Sequence, residues 1–373
     1  MTRREVLTLT NRLDTLLEKL KDQKLDSMLV TSASNFYYLS NHYTDPHERV
    51  IAVYVSRFHD PLLIIPALEK DDAKKAGWEF ELIAYSDHEN PWELFYKFLK
   101  RHNKMPETIA VEYNHLTLEG FGQVKSVLPN AVFQDAQEIL SNLRVIKSAE
   151  EYKLLKEAAK FADFGIETGI KAIKEGTSEL EIIAKIEYEL KKQGIQQMSF
   201  STMALSGTKT ASPHGTPSMK KIEKGDLVLF DLGVVYEGYC SDISRTVAFN
   251  SITPEQETIY NTVLDAETKA IKSSKQGIAV KDIDLAARHH IDENGYGRYF
   301  IHRVGHGLGI ETHEYPSMHS ENKLPIEKGM CFTIEPGIYV PDTGGVRIED
   351  MIFITDGGAE TLTRFPKELQ IVD

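Results

Sequence analysis

The sequence predicts an α+β protein in which a smaller N-terminal α/β domain precedes a larger domain built from two related halves. Three observations lead to this prediction. Helical and strand-like segments alternate over roughly the first 140 residues, which is typical of an α/β domain. A helix–glycine–helix pattern then occurs twice along the chain. Strand-rich sequence follows each copy, which favours an antiparallel sheet in the larger domain.

Composition sets the class of protein. A chain of 373 residues is long for one domain and suggests two. The 41% hydrophobic and 27% charged residues are typical of a globular protein, and the net charge of −13 argues against nucleic acid or an anionic membrane as partner. Cys240 and Cys331 lie in apolar runs without a disulfide pattern, and no apolar run approaches membrane-span length. We therefore expect a cytoplasmic protein with no membrane or nucleic-acid partner.

The first domain is predicted to span residues 1–144 and the second residues 145–373. In the first domain, "VIAVYVS", "PLLIIPA", "TIAVEYN" and "AVFQDA" are predicted strands, whereas "NRLDTLLEKLKDQKLD" and "PWELFYKFLKRH" are predicted helices. A long helix opens the second domain. Ser148, with Glu151 three residues later, forms the capping-box pattern that marks its start.

The second domain contains a faint internal repeat. Gly176 and Gly277 are 101 positions apart (277 − 176), and so are Gly194 and Gly295 (295 − 194). Gly176 and Gly194 bracket one helix-like segment, and Gly277 and Gly295 bracket the other. The spacing predicts two related halves, although two helices that both happen to end at glycines would give the same pattern.

Two aspartates occupy unusual places in the first half. Asp231 lies near the end of one apolar strand and Asp242 at the start of the next, with the turn-like "VYEG" between them. Their midpoint falls between Tyr236 and Glu237, so a hairpin centred there would place the two carboxylates opposite one another, roughly 5 Å apart. Carboxylates that close repel each other unless a cation lies between them.

The second half repeats this arrangement. Glu335 and Glu349 flank a "PDTGG" turn, and their midpoint is Asp342, so they too are predicted to face one another. Four such carboxylates suit two divalent cations about 3.5–4 Å apart. "IHRVGHGLGIETHE" offers His302, His306 and His313 as a further ligand, and a site of one imidazole and several carboxylates favours Mn²⁺, Co²⁺ or Fe²⁺, with Zn²⁺ as an alternative.

The ordered set Asp231, Asp242, His306, Glu335 and Glu349 closely resembles the ligand set of the pita-bread metallopeptidases, which include methionine aminopeptidase, aminopeptidase P and prolidase. The resemblance implies a pita-bread fold for the second domain and a creatinase-type fold for the first. An N-terminal domain of this size points to the aminopeptidase P and prolidase branch. The segments "TDPHERV", "CFTIEPGIYVP" and "GVRIEDM" look most like bacterial Xaa-Pro dipeptidases.

The implied reaction is hydrolysis of a dipeptide whose second residue is proline. By resemblance, the five residues hold two divalent ions per subunit, Mn²⁺ first among them, and these share a bridging water that is deprotonated near neutral pH. Glu335 would also shuttle the proton from that water. The residues alone do not separate Glu335 from Glu349 in this role.

Further candidate residues surround the ligands. The resemblance gives His302, His313 and His214 contacts with substrate or with the tetrahedral intermediate. Arg347 lies two residues before Glu349 and is expected to pair with a ligand or a substrate carboxylate. Arg303 is a candidate for the terminal carboxylate of the substrate, and a solvated surface arginine is the alternative.

The loop "NHYTDPHERV" contains Asp45 and His47, which are candidate substrate-binding residues. In related prolidases the N-terminal domain of one subunit helps to close the active site of its partner. The resemblance therefore implies a homodimer in which this domain acts in dimerisation and as a lid that leaves room only for a dipeptide. A polar surface turn is the alternative for this loop.

Four other functions are weighed against the dipeptidase. Aminopeptidase P would use the same site to release the first residue of longer Xaa-Pro peptides. A non-catalytic peptide-binding protein or a metal-free hydrolase of the creatinase kind would have lost metal ligands, whereas all five positions carry ligand-type side chains here. Methionine aminopeptidase does not need the additional α/β domain.

Overall fold

A computed structural model describes residues 3–373, with side chains from residue 9 onward. The chain separates into two compact units, one ending at Leu143 and the other beginning at Arg144. Among the described helices, none combines the length and the apolar character that a membrane span requires.

The N-terminal unit contains a mixed six-stranded sheet with strand order β4-β3-β2-β1-β5-β6. Its strands are β1 Ser27–Val30, β2 Ala52–Ser56, β3 Leu62–Pro66, β4 Glu81–Tyr85, β5 Thr108–Val111 and β6 Val132–Asp135. Its helices are α1 Arg3–Asp22, α2 Ala33–Ser40, α3 Lys70–Lys75, α4 Pro91–Arg101, α5 Leu118–Val127 and α6 Gln137–Arg144. The inner strands β1, β2 and β3 are buried along their whole length, because they are apolar runs covered on both faces. The predicted α/β character of this domain is confirmed.

The second unit is the larger one and carries most of the antiparallel structure. Its helices are α7 Ala149–Ala172, α8 Glu179–Lys192, α9 Pro254–Ser273 and α10 Val280–Glu293. Its strands are β7 Gln197–Met198, β8 Met203–Ser206, β9 Leu227–Leu232, β10 Val234–Tyr236, β11 Tyr239–Cys240, β12 Ile243–Phe249, β13 Gly305–Gly307, β14 Glu314–Met318, β15 Cys331–Ile334, β16 Gly337–Val340, β17 Gly344–Arg347, β18 Asp350–Thr355, β19 Gly358–Thr361 and β20 Ile371–Val372. Helix α7 begins with the predicted capping box of Ser148 and Glu151.

The predicted internal repeat is confirmed. Helices α8 and α10 begin 101 residues apart (280 − 179) and end 101 residues apart (293 − 192). Gly176 and Gly277 precede them with φ of 80° and 86°, a region that glycine adopts without strain. Their backbone N–H groups donate to equivalent carbonyls, those of Ile222 at 3.0 Å and Ile326 at 2.8 Å. The two halves therefore share the same local structure before and along this helix.

Each half has its own apolar core. In the first half, α7 and α8 pack against β9, where the Phe230 ring and Ile186 lie so close to Gly169 that a Cβ atom there would meet them at 2.7 and 2.8 Å. In the second half, α9 and α10 pack against β15 and β18. A backbone bridge between Ser244 and Glu349 joins the sheets of the two halves. The predicted carboxylate residues lie along this junction.

Candidate active site

The first hairpin carries Asp231 on β9 and Asp242 immediately before β12. It turns at Glu237 and Gly238, whose φ angles of 47° and 79° are the positive values that a two-residue hairpin turn requires. This turn lies one residue later than the predicted midpoint, so Asp231 is paired with Ser244. The prediction that Asp231 lies directly opposite Asp242 is therefore wrong, because a shift of one residue in the turn moves the partner by two.

The second hairpin has the predicted register. Strand pairs on both sides of Glu335 and Glu349 keep one continuous antiparallel register, which places these two residues opposite each other. Glu349 is also tied to the first half of the domain. Its backbone N–H donates to the Ser244 carbonyl at 3.1 Å, and its Oε2 accepts a hydrogen bond of 2.8 Å from the Ser244 hydroxyl.

His306 lies among the carboxylates. Asp242, His306 and Glu349 each offer a ligand atom within 4.8 Å of the other two. The Nδ1–H of His306 donates to the Gly307 carbonyl at 3.1 Å, which leaves the lone pair on Nε2. That Nε2 is 3.6 Å from Asp242 Oδ2 and 3.4 Å from Glu335 Oε1. A lone pair directed at carboxylate oxygens is unfavourable unless a cation or a carboxyl proton lies between them.

Burial and crowding shift the pKa values of these groups. Burial, reinforced by the charges of Glu349 and Asp231, raises the pKa of Asp242 well above its usual value. Burial and Glu335 raise the pKa of Glu349 in the same way. Burial raises the pKa of Glu335 to about 7 and lowers the pKa of His306 to about 3. The pocket thus holds a neutral imidazole beside carboxylates that resist ionisation in the absence of a cation.

Two further oxygens support a metal ion. Asp231 Oδ1 and Asp242 Oδ1 are buried and accept no hydrogen bond from the described part of the chain. Buried carboxylate oxygens are normally satisfied, so an unsatisfied pair calls for a ligand. Together with the His306 nitrogen, these oxygens form a donor set that fits a hard divalent cation such as Mn²⁺.

Arg347 is a buried positive charge that contacts one of the proposed ligands. Its Nη2 pairs with Asp231 Oδ2, and its Nε donates to the Ser244 hydroxyl at 2.8 Å. Its Nη1 donates to the Tyr339 hydroxyl at 3.1 Å. Of the two partners expected for Arg347, a ligand carboxylate and a substrate carboxylate, the structure thus contains the first.

The hydrogen bonds of His302 fix its tautomer. Its Nδ1–H donates to the Arg303 carbonyl at 2.8 Å, and its Nε2 accepts a bond of 2.9 Å from the Tyr339 hydroxyl. Burial lowers the pKa of His302 to about 4 and raises the pKa of Tyr339 to about 12, so both groups are neutral at pH 7. The Tyr339 hydroxyl therefore donates to His302 and accepts from Arg347, which joins the three residues in one chain.

Sequence reasoning missed Ser244 and Tyr339. Both follow from strand alternation: Ser244 lies two residues after Asp242, and Tyr339 lies four residues after Glu335, so each is expected on the same strand face as its predecessor. Neither residue is a typical metal ligand, which is why a search for ligand types passed over them.

The remaining predicted residues of this unit lie around His306. The His313 ring contacts the His306 ring with 4.2 Å between centroids, and burial, with the Arg303 charge, lowers the pKa of His313. Arg303 Nη1 donates to the Ser317 hydroxyl at 2.9 Å. His214 is exposed in a loop and lies close enough to His313 to act on it electrostatically.

Asp45 and His47 lie in the N-terminal unit. Both side chains are mostly exposed, and the His47 backbone N–H donates to Asp45 Oδ1 at 3.2 Å. His47 has a φ of 51°, so this segment is a tight polar turn. All the other predicted site residues belong to the second unit.

Comparison with known protein families identifies the second unit. Residues 153–356 match the model of metallopeptidase family M24. The chain belongs to this family. Residues 12–146 match the creatinase/prolidase N-terminal domain, so both units of this M24 protein have a counterpart among known domains. The α+β fold class, with a creatinase-type domain followed by a pita-bread domain, is confirmed.

The similarity extends over whole chains. The Bacillus subtilis protein YkvY, described provisionally as a dipeptidase, is 50% identical over 97% of this chain and 100% of its own length. The Xaa-Pro dipeptidase from Bacillus anthracis has a TM-score of 0.91 and 34% identity, covering 98% of this chain and 100% of that one. The prolidase from Pyrococcus horikoshii OT3 has a TM-score of 0.89 and 36% identity, covering 96% and 100%.

Proposed function

We propose that this M24 protein is a metal-dependent dipeptidase that hydrolyses Xaa-Pro dipeptides. The main observation in support is that His306 Nε2, which carries a lone pair, lies 3.6 Å from Asp242 Oδ2 and 3.4 Å from Glu335 Oε1, so that one imidazole nitrogen and two carboxylates point into the same space. Similarity over the full length to a prolidase and an Xaa-Pro dipeptidase supports the substrate class. The proposed ligands of two divalent ions, Mn²⁺ first and Co²⁺, Fe²⁺ or Zn²⁺ as alternatives, are Asp231, Asp242, His306, Glu335 and Glu349.

The proposed chemistry combines these ions with proton transfer by the chain. When bound, two divalent cations lower the pKa of water towards neutrality and polarise the peptide carbonyl. The scissile Xaa-Pro bond is a tertiary amide, so its leaving nitrogen must gain a proton. Glu335 is proposed for this transfer, because a carboxylate can accept a proton from water and pass it on to the leaving nitrogen.

The neighbouring side chains are proposed to hold the substrate. Neutral His302 and Tyr339 keep Arg347 in place, and Arg347 keeps Asp231 oriented towards the ligand cluster. His313, in ring contact with His306, and His214, near His313, are both exposed and are proposed to donate to the substrate carbonyl. Arg303 carries the positive charge proposed for the terminal carboxylate of the dipeptide.

Substrate length, assembly and location are parts of the same proposal. We propose a cytoplasmic homodimer in which the N-terminal unit of one subunit forms a lid over the partner's site. In the N-terminal unit, Asp45 and His47 are exposed side chains that are available for this contact. A lid would restrict the enzyme to dipeptides, and size-exclusion chromatography with light scattering measures whether the dimer forms.

Peptide hydrolysis tests the proposed function directly. EDTA-stripped protein is assayed with Leu-Pro and with Leu-Pro-Ala, before and after addition of Mn²⁺, beside Asp242→Asn and the surface control Asp356→Asn. We expect Mn²⁺-dependent cleavage of Leu-Pro by the wild type and the control, but not by Asp242→Asn. Cleavage of Leu-Pro-Ala at the Leu–Pro bond would shift the assignment to aminopeptidase P. If neither peptide is cut with metal present, the catalytic assignment fails for Xaa-Pro substrates and the peptide-binding alternative gains support.

A further inference from the structure

A buried charge cluster lies behind the proposed ligand Glu349. Successive strand residues point to opposite faces, so Ser244 and Glu349 face the ligands while the next residues, Arg245 and Asp350, face the opposite side. Arg245 is 1% exposed and Asp350 is fully buried. Arg245 Nη2 pairs with Asp350 Oδ1 at 2.7 Å.

Arg245 is hydrogen-bonded to the backbone of the proposed ligand Glu349 and of its neighbour Ser244. Its Nη1 donates to the Ser244 carbonyl at 2.9 Å and to the Glu349 carbonyl at 2.6 Å. These two carbonyls belong to different halves of the domain. The planar guanidinium therefore fixes the spacing between the two strands at the point where the Glu349 side chain leaves the backbone.

Residues 363–367, which we call the C-terminal strap, complete the cluster. Arg245 Nη2 donates to the Phe365 carbonyl at 2.7 Å. Arg245 Nε lies 3.2 Å from both the Phe365 and the Pro366 carbonyl oxygens. Lys367 Nζ donates to the fully buried Glu267 at 2.7 Å and also pairs with the aspartate of the cluster. Two acidic and two basic side chains thus meet behind the ligand residues.

We propose that Arg245, Asp350 and Lys367 are positioning residues that hold Glu349 in the geometry needed to bind metal. This inference rests on the proposed function, since it takes Glu349 as a ligand. None of the three side chains is proposed to touch substrate or metal. Their effect passes through the Glu349 backbone, whose carbonyl is bound by Arg245 on the face opposite to the carboxylate.

The hydrogen bonds from Arg245 to the Glu349 strand are expected to raise metal affinity for a physical reason. Metal ions require ligand atoms within a narrow range of distances, and a ligand on a loosely held strand must be ordered when the metal binds. Residues that orient metal ligands typically contribute about 10–100-fold to metal affinity when they are replaced. Loss of either cation in the cluster would also leave the fully buried Asp350 with one of its two cationic partners.

Two variants and one matched control test the proposal. Arg245→Lys keeps the charge but loses the fork of donors, and Lys367→Met removes the second cation. Lys209→Met is the control, because Lys209 also pairs with a fully buried glutamate, Glu179, and is 30% exposed against 25% for Lys367. Each EDTA-stripped protein is titrated with Co²⁺ while the visible absorption spectrum, which reports coordination geometry, is recorded.

We expect Arg245→Lys and Lys367→Met to bind Co²⁺ about 10–100-fold more weakly than the wild type and to show a changed spectrum. Lys209→Met should lose thermal stability but keep the affinity and spectrum of the wild type. Wild-type affinity and spectrum in both cluster variants would overturn the proposal, whatever their stability. If Arg245→Lys does not fold, Lys367→Met decides by the same comparison.

The same titration separates this inference from the proposed function. A wild type that binds Co²⁺ but cleaves neither Leu-Pro nor Leu-Pro-Ala would remove the dipeptidase assignment, and the positioning roles would still be decided by the Co²⁺ affinities. A wild type that binds no Co²⁺ would overturn both.

Discussion

Replacement of Glu335 by glutamine should change how the metal-free protein responds to pH. Burial raises the pKa of Glu335 from 4.5 to about 7, with Arg347 opposing this shift and Asp231 adding to it. Glutamine has nearly the same shape but does not titrate. The difference between the two proteins therefore reports the Glu335 carboxyl group together with its effect on Glu349 and Asp242.

The sign and size of the effect follow from the raised pKa. Between pH 4.5 and 7 the folded state holds the Glu335 proton more tightly than the unfolded state does. The resulting stabilisation is fully present below pH 4.5 and is lost as the pH rises through 7. A pKa of about 7 against 4.5 corresponds to about 3 kcal/mol, of which about 2–3 kcal/mol is lost between pH 5 and pH 8.

Urea unfolding in EDTA at pH 5, 6, 7 and 8 measures this difference. Far-UV circular dichroism is the suitable probe, because both tryptophans, Trp78 and Trp92, lie in the N-terminal unit. From pH 5 to pH 8 the wild type should lose about 2–3 kcal/mol more of its free energy of unfolding than Glu335→Gln does. Glu321→Gln, at an exposed position, should follow the wild type.

Parallel curves for the wild type and Glu335→Gln would refute the reasoning. They would mean that Glu335 titrates alike in the folded and unfolded states, so that it is not buried among the other carboxylates in the metal-free protein. A larger fall in the variant than in the wild type would contradict the sign.

Three other perturbations have defined outcomes. Tyr339→Phe removes a hydroxyl that bonds both His302 and Arg347 and so loosens the arginine that orients Asp231; the affinity for Mn²⁺, measured by titration of the EDTA-stripped protein, should fall about 10–100-fold. Lys147→Met leaves the buried Glu314 without one of its cations, and the free energy of unfolding in urea should fall by about 3–5 kcal/mol; a fall below about 1 kcal/mol would contradict a buried pair. Burial raises the pKa of Cys240 to about 11 and of Cys331 to about 12, so neither thiol should react with Ellman's reagent at pH 8 until the protein is unfolded.

The parts of the fold that local sequence controls were predictable. The capping box at Ser148 and the glycines that precede α8 and α10 act over a few residues, and their patterns survive in the sequence. The register of Glu335 and Glu349 followed from a turn centred on their midpoint. The register of Asp231 and Asp242 did not, because the positive φ angles of the turn lie one residue further along than the pattern indicated.

The long-range parts of the site were not predictable from one sequence. Tyr339 and Ser244 matter only because register brings them to Arg347. The cluster behind Glu349 needs Arg245 and the C-terminal strap, which are about 120 residues apart in sequence. Nothing in the local pattern at either place indicates the other. The roles predicted for Asp45 and His47 depend on a second subunit and stay predictions.

The bridge between Ser244 and Glu349 has a consequence for how the domain responds to metal. Asp231 and Asp242 come from the first half of the domain, whereas His306, Glu335 and Glu349 come from the second. Ions held by this set would act as a non-covalent cross-link between two separately packed cores. Metal loading should then slow the separation of the two halves beyond what the Ser244–Glu349 bridge and the Arg245 hydrogen bonds already provide.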